Sequence, residues 1–276
     1  MGDITTFRVL VQPRVQAKAI ADLVAAIAAA DLDGINIDFE PPNPKHPDGS
    51  LNPESPLAAT IEDGLKFANF LDALSAALHR VPGRRRLVSM DGGSVAGACW
   101  SVGPLDHGKR NHTWDLSPCP WITRIWNLDA LAASKLDVMI PMDTYTANST
   151  EVPYITWIYQ KYFKIDRIGW GLYPTKNWPD GESQGPFAAA SDEVVTSRMD
   201  RFEVFGSRWI SLWSVDPGTG QPGGANMSTF RAKMAPWLPR LRRFLQSKTD
   251  DSDHLSGGAR VCGDPAAHAR TDARYC

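Results

Sequence analysis

The sequence predicts an α/β fold of the (β/α)8 TIM-barrel type. Two observations carry that expectation. Short apolar segments alternate with segments of helical periodicity along most of the chain, which means parallel strands with helices outside. Polar residues also stand at or just past the C-terminal ends of the expected strands: Asp38 and Glu40, Asp91, Asp143 and Tyr145, Tyr173, and Asp216. Barrels of this type carry their sites on that face. The rival, an open doubly wound sheet, would want a Gly-rich phosphate loop after its first strand, and none is present.

The elements follow in order. Phe7–Val11 (FRVLV) reads as a short buried strand. Gln16–Ala30 is Ala-rich and has Ile20, Leu23, Val24 and Ile27 at helical spacing. Asp33–Glu40 (DGINIDFE) alternates like a strand, and Pro41–Pro56 is a loop dense in Pro, Asn, Asp and Gly. Leu57–His79 is the clearest helix, with Leu65, Phe67, Phe70, Leu71, Leu74 and Leu78 as its apolar surface. Arg86–Asp91 is a strand, followed by a long loop and an expected helix at Ile125–Ser134. Leu136–Tyr145, Arg167–Tyr173 and Trp209–Trp213 read as strands. Val152–Phe163, Ser191–Phe205 and Phe230–Leu245 read as helices. About six of eight barrel strands are thus expected, in one partial barrel over residues 1–245, with a polar, disordered tail at 246–276.

Composition bounds the function. The 276 residues carry 43% hydrophobic and 22% charged residues, which suits one large globular domain. A net charge of −2 gives no electrostatic reason to expect nucleic acid or an anionic membrane as partner. No apolar run reaches the length of a membrane span, and the chain is expected to be a monomer without cofactor or metal. Its ten tryptophans supply stacking surface of the kind that flat sugar faces accept. Three Asn-x-Ser/Thr triplets begin at Asn111, Asn148 and Asn226, a weak sign of a glycoprotein. Cys99, Cys119, Cys262 and Cys276 lack metal-ligand spacing. A Cys99–Cys119 disulfide and free thiols both remain open.

The chemistry concentrates in Asp33–Glu40. Side chains alternate along a strand, so Asn36, Asp38 and Glu40 share one face and Ile35, Ile37 and Phe39 the other. Three polar groups on one strand face would be costly in a sealed core, so they are expected at a wet mouth, with the apolar face against helices. Two carboxylates two residues apart can couple, and the charge of one raises the proton affinity of the other. A carboxyl that keeps its proton near neutral pH can serve as a general acid. Asp33 has the opposite parity to Asp38 and is expected to be structural.

DGINIDFEP resembles the DGxDxDxE signature of family 18 glycoside hydrolases, the chitinases and their relatives. Its Asn at the second polar position is nearest to the di-N-acetylchitobiase branch. The resemblance implies that Glu40 protonates the glycosidic oxygen while Asp38 holds and polarises the substrate's N-acetyl group. The acetamido oxygen then attacks the anomeric carbon, the substrate-assisted exception to the two-carboxylate scheme. Asn36 stands where many members have Asp; it can hydrogen-bond Asp38 but cannot take a proton from it.

More weakly, Leu136–Tyr145 resembles the sixth strand of that family, whose pattern is Met-x-Tyr-Asp, with Asp143 at the Met position and Thr146 at the Asp position. It implies Tyr145 bonding the acetamido group, Asp143 supporting it, Trp213 flooring a sugar subsite and Tyr173 beside the site. Asp91 is expected to line the cleft. In the family the signature marks the fourth strand, so Phe7–Val11 would be the third and two earlier strands would be missing. The implied partner is an N-acetylglucosamine oligosaccharide. Secretion, or delivery to a lysosome or vacuole, follows only if an upstream segment carries a signal peptide. The competing expectations are a chitinase-like protein that binds glycans without cleaving them, and an inactive fragment.

Overall fold

The structure, a computed structural model, describes residues 3–41, 44–50, 52, 54–93, 124–142, 158–172 and 206–212, with isolated positions at 200, 215–216, 225–226, 235, 239–240 and 243. These belong to two compact units, Met1–Met142 with Lys161–Phe163, and Asp143–Gln160 with Lys164–Cys276.

The first unit opens with two helices, α1 (Ile4–Leu10) and α2 (Pro13–Ala29). Strand β1 (Gly34–Asp38), helix α3 (Ile61–Leu78), strand β2 (Leu87–Gly92), helix α4 (Leu128–Ala133) and strand β3 (Val138–Pro141) follow. The three strands form a parallel sheet in the order β1-β2-β3. Its register pairs Asn36 with Ser89, Asp38 with Asp91, and Asp91 with Ile140. Gly34 is required at the start of β1, because a Cβ there would collide with the Leu87 carbonyl of its neighbour. Helix α3 packs on β2, α2 and α4. It starts at a capping box in which Thr60 and Asp63 satisfy each other's backbone N–H groups. Phe67, Phe70, Leu71, Leu74 and Leu78 are buried, as their spacing predicts. Leu65 is 45% exposed and lies off that face.

One expected strand is a helix. Phe7–Val11 falls in and just past α1, whose N-cap Asp3 accepts from the Thr6 backbone N–H and hydroxyl. Ile4 and Phe7, three apart, face inward, whereas Val9 is 49% exposed, so the segment has helical and not alternating burial. Tertiary contacts fix the choice. Phe7 packs at 5.1 Å from Phe39 and 5.8 Å from Phe67 between ring centroids. Arg8 forks onto the Asp63 carboxylate at 2.8 and 3.0 Å and caps the Ala58 carbonyl. The segment is therefore not the barrel strand beside the signature strand. Among the described residues β1 is hydrogen-bonded on one side only, to β2.

In the second unit, β4 (Gly169–Leu172) and β5 (Trp209–Leu212) pair in parallel, as do the two-residue strands β6 (Val215–Asp216) and β7 (Ala225–Asn226). Ile168 and Trp170 are fully buried. The Ser207 hydroxyl donates to the Ile168 carbonyl at 2.6 Å, and the Trp209 indole to the Asp166 carbonyl at 2.7 Å. Positions 158–159, 200, 239–240 and 243 are helical and lie within the three late helices expected. The architecture among the described residues is α/β with parallel strands. The expected tail at 246–276 and all four cysteines lie outside the described residues.

Candidate active site

The site is built at the C-terminal end of β1 and β2. The alternation along β1 is as expected: Asn36 and Asp38 are exposed, while Ile35, Ile37 and Phe39 are partly covered. Phe39 decides which side is which. Its ring packs against Phe7 of α1 and, at 5.4 Å, against Phe67 of α3. The three rings form an aromatic cluster on the helical side, each pair adding about 0.5–1.5 kcal/mol beyond burial. Glu40 lies two residues past the end of β1, close enough for the charge of Asp38 to raise its proton affinity.

Register then brings β2 into the site. Side chains at i and i+2 on a strand stand about 6.6 Å apart, whereas in-register neighbours on adjacent strands stand about 4.8 Å apart. Asn36 accordingly reaches across the sheet: its amide donates to the Ser89 hydroxyl at 3.0 Å. Asp91 faces Asp38 on one side and the apolar Ile140 on the other. It is 8% exposed.

The electrostatics follow from this layout. Burial pushes the Asp91 carboxyl up to about 7, and the charges of Asp38 and Glu40 push the same way, against the opposing pull of the nearby Asn36 amide. Crowding by neighbouring atoms desolvates Asp38 and raises its proton affinity, although one edge still meets solvent. Glu40 is also raised, first by burial and then by the charge of Asp38. Among the described residues none of the three forms an ion pair with a cation. Nor is any group of three His, Cys, Asp or Glu among those residues arranged to hold a metal ion.

The structure thus brings Asn36, Asp38, Glu40 and Asp91 together. Asp33 sits at the other end of β1, on Arg84 at 3.1 Å, as its opposite parity suggested. Tyr145, Asp143, Tyr173 and Trp213 lie outside the described residues. Ser89 escaped the sequence reading. Its signal was its parity with Asp91 in LVSMDG, which becomes informative only once the register is known. Beyond the carboxylates, Trp126 is buried against Gly93, two residues past Asp91, where a Cβ would strike the indole ring.

No protein-family model matches the sequence, and neither does any curated protein. Solved structures do resemble the chain. A chitinase from Chromobacterium violaceum is 14% identical with a TM-score of 0.49, over 82% of this chain and 72% of that one. A chitinase from Bacillus thuringiensis is 12% identical with a TM-score of 0.48, over 82% of this chain and 47% of that one. A spore cortex-lytic enzyme from Bacillus megaterium is 11% identical with a TM-score of 0.45, over 74% of this chain and 50% of that one. The chain therefore spans half or less of the last two. At such identities and scores the functional reading rests on the residues themselves.

Proposed function

We propose that the chain is a retaining glycoside hydrolase that cleaves β-1,4-linked N-acetylglucosamine by substrate-assisted catalysis. One observation carries the reading. Asp38, exposed on β1, and Glu40, two residues beyond it, both have raised proton affinity, and among the described residues neither forms an ion pair with a cation. A strand end that served stability alone would pair its acids.

The chemistry follows. Glu40, protonated, donates to the glycosidic oxygen as the bond to the anomeric carbon breaks. The acetamido oxygen of the sugar attacks that carbon from the other face, forming an oxazolinium ion. Asp38 accepts from the acetamido N–H and stabilises the positive charge that develops. Glu40, now a carboxylate, takes a proton from the water that opens the ring, and configuration is retained. Tyr145 and Asp143 are proposed to hold the acetamido group, and Trp213 and Tyr173 the sugar faces.

The test is release of chromophore from a chromogenic chitobioside by the wild type and by Glu40→Gln. The proposal expects turnover by the wild type and a drop of about 10³-fold in the variant. Equal rates would remove Glu40 as the acid. Tight binding of chitooligosaccharide by the wild type with no product over days would replace hydrolysis with glycan binding.

A further inference from the structure

We propose that Ser89 is a positioning residue: it takes the Asn36 amide across the sheet and so leaves both oxygens of Asp38 open to the substrate. The consequence for turnover rests on the glycosidase reading; the placement of the amide does not.

Parallel register sets Asn36 beside Ser89 and Asp38 beside Asp91, two successive rungs between β1 and β2. Asn36 and Asp38 are exposed on β1, and Ser89 is partly covered on β2. The Asn36 amide therefore has two places to donate. A neighbour across the sheet stands about 4.8 Å away. Asp38, along the same strand, stands about 6.6 Å away, a gap that side chains leaning along the strand can close. The carboxylate is the stronger acceptor, because a hydrogen bond to a charged group is roughly twice as strong as a neutral one. On strength alone the amide should go to Asp38. It goes to Ser89 instead, Nδ2 donating to Oγ at 3.0 Å. On its other side Ser89 meets Val138, whose side chain offers it no rival partner. Among the described residues Asp38 takes part in no hydrogen bond.

The proposed chemistry gains from this arrangement. Asp38 has to accept the acetamido N–H and face the positive charge that develops as the oxazolinium ion forms. An amide donor on that carboxylate would stabilise its charge in the free enzyme and lower its proton affinity. Stabilisation already present before the substrate reacts does not speed the reaction. Ser89 keeps that donor occupied. The charged groups around Asp38 are Glu40 beyond it on the chain, Asp91 in register on β2, and the N-terminal ammonium, which acts to lower its proton affinity. Burial outweighs the ammonium, and no hydrogen bond joins it in stabilising the charge.

The experiment is a ¹³C NMR titration of the aspartate side-chain carboxyls in the full chain without substrate. Ser89→Ala frees the amide and is expected to lower the midpoint of Asp38 by about one pH unit. Ser89→Thr keeps the hydroxyl and is expected to hold the wild-type midpoint. Ser89→Ala combined with Asn36→Ala has no amide to turn and is expected to titrate as the wild type does. An unmoved Asp38 in Ser89→Ala, a fall at Asp91 in its place, or a fall that persists in the double variant overturns the proposal. A serine that served the sheet alone would weaken the fold when removed without moving the carboxyl. The wild type supplies a reading that needs no variant. Nuclear Overhauser contacts between the Asn36 side-chain amide protons and the Ser89 Hβ atoms are expected, and contacts with the Asp38 Hβ atoms in their place overturn the proposal. None of these spectra requires turnover. The expected shifts in a chain that releases no chromophore from the chitobioside count against the glycosidase reading alone, and turnover with an unmoved Asp38 counts against Ser89 alone.

Discussion

The two ends of the β1-β2-β3 sheet use the same residue type in opposite ways. At the N-terminal end each described aspartate meets a cation. Asp31 and Asp33 both bind Arg84 at 3.1 Å, and Asp31 also meets Arg86 at 3.5 Å. Asp137 joins His79 at 2.8 Å and Arg85 at 2.5 Å and accepts the Val88 backbone N–H at 2.9 Å. At the C-terminal end Asp38, Glu40 and Asp91 share one another's field, and among the described residues none of them forms an ion pair. Paired acids stitch strand starts together. Unpaired acids destabilise the fold and hold protons that chemistry can use.

Substitutions at the two ends should separate cleanly. Glu40→Gln should cost about 10³-fold in kcat, equivalent to about 4 kcal/mol of barrier, and leave the melting temperature equal or higher. Asp137→Ala should do the reverse. It strips three partners from a carboxyl only 6% exposed, and should lower unfolding free energy by about 2 kcal/mol in a denaturant titration while sparing kcat per folded molecule.

Acid dependence sharpens the contrast further. Asp91 rises from 3.8 to about 7 on folding, so the folded chain holds a proton that the unfolded chain releases. Its contribution is fully present below about pH 4, declines as pH rises to about 7, and is flat beyond. The difference in stability between wild type and Asp91→Asn should therefore change by on the order of 4 kcal/mol across that window, in favour of the variant at high pH. Arg84→Ala should be the mildest change, under about 1 kcal/mol, because its partners are exposed.

Much of this site was legible before any coordinates. Period-two alternation is local, so Asn36 and Asp38 could be separated from Ile35 and Ile37 by reading alone, and Phe39 assigned to the helical side. Parity gives no register, however. Nothing in LVSMDG says which of its residues will stand beside Asp38, so the coupling of Asp38 with Asp91 and the turn of Asn36 toward Ser89 stayed hidden. Phe7–Val11 failed for a related reason. A five-residue apolar run suits either a strand or a helical turn. Contacts far along the chain, Phe39, Phe67 and Asp63, made the choice.

The measurement that bears most directly on the carboxylate site is proton NMR of the first product released from a chitooligosaccharide, before mutarotation. Appearance of the β anomer first, lost in Glu40→Gln, is the expected result. The α anomer appearing first would contradict participation of the acetamido group, and with it the roles given to Asp38 and Glu40.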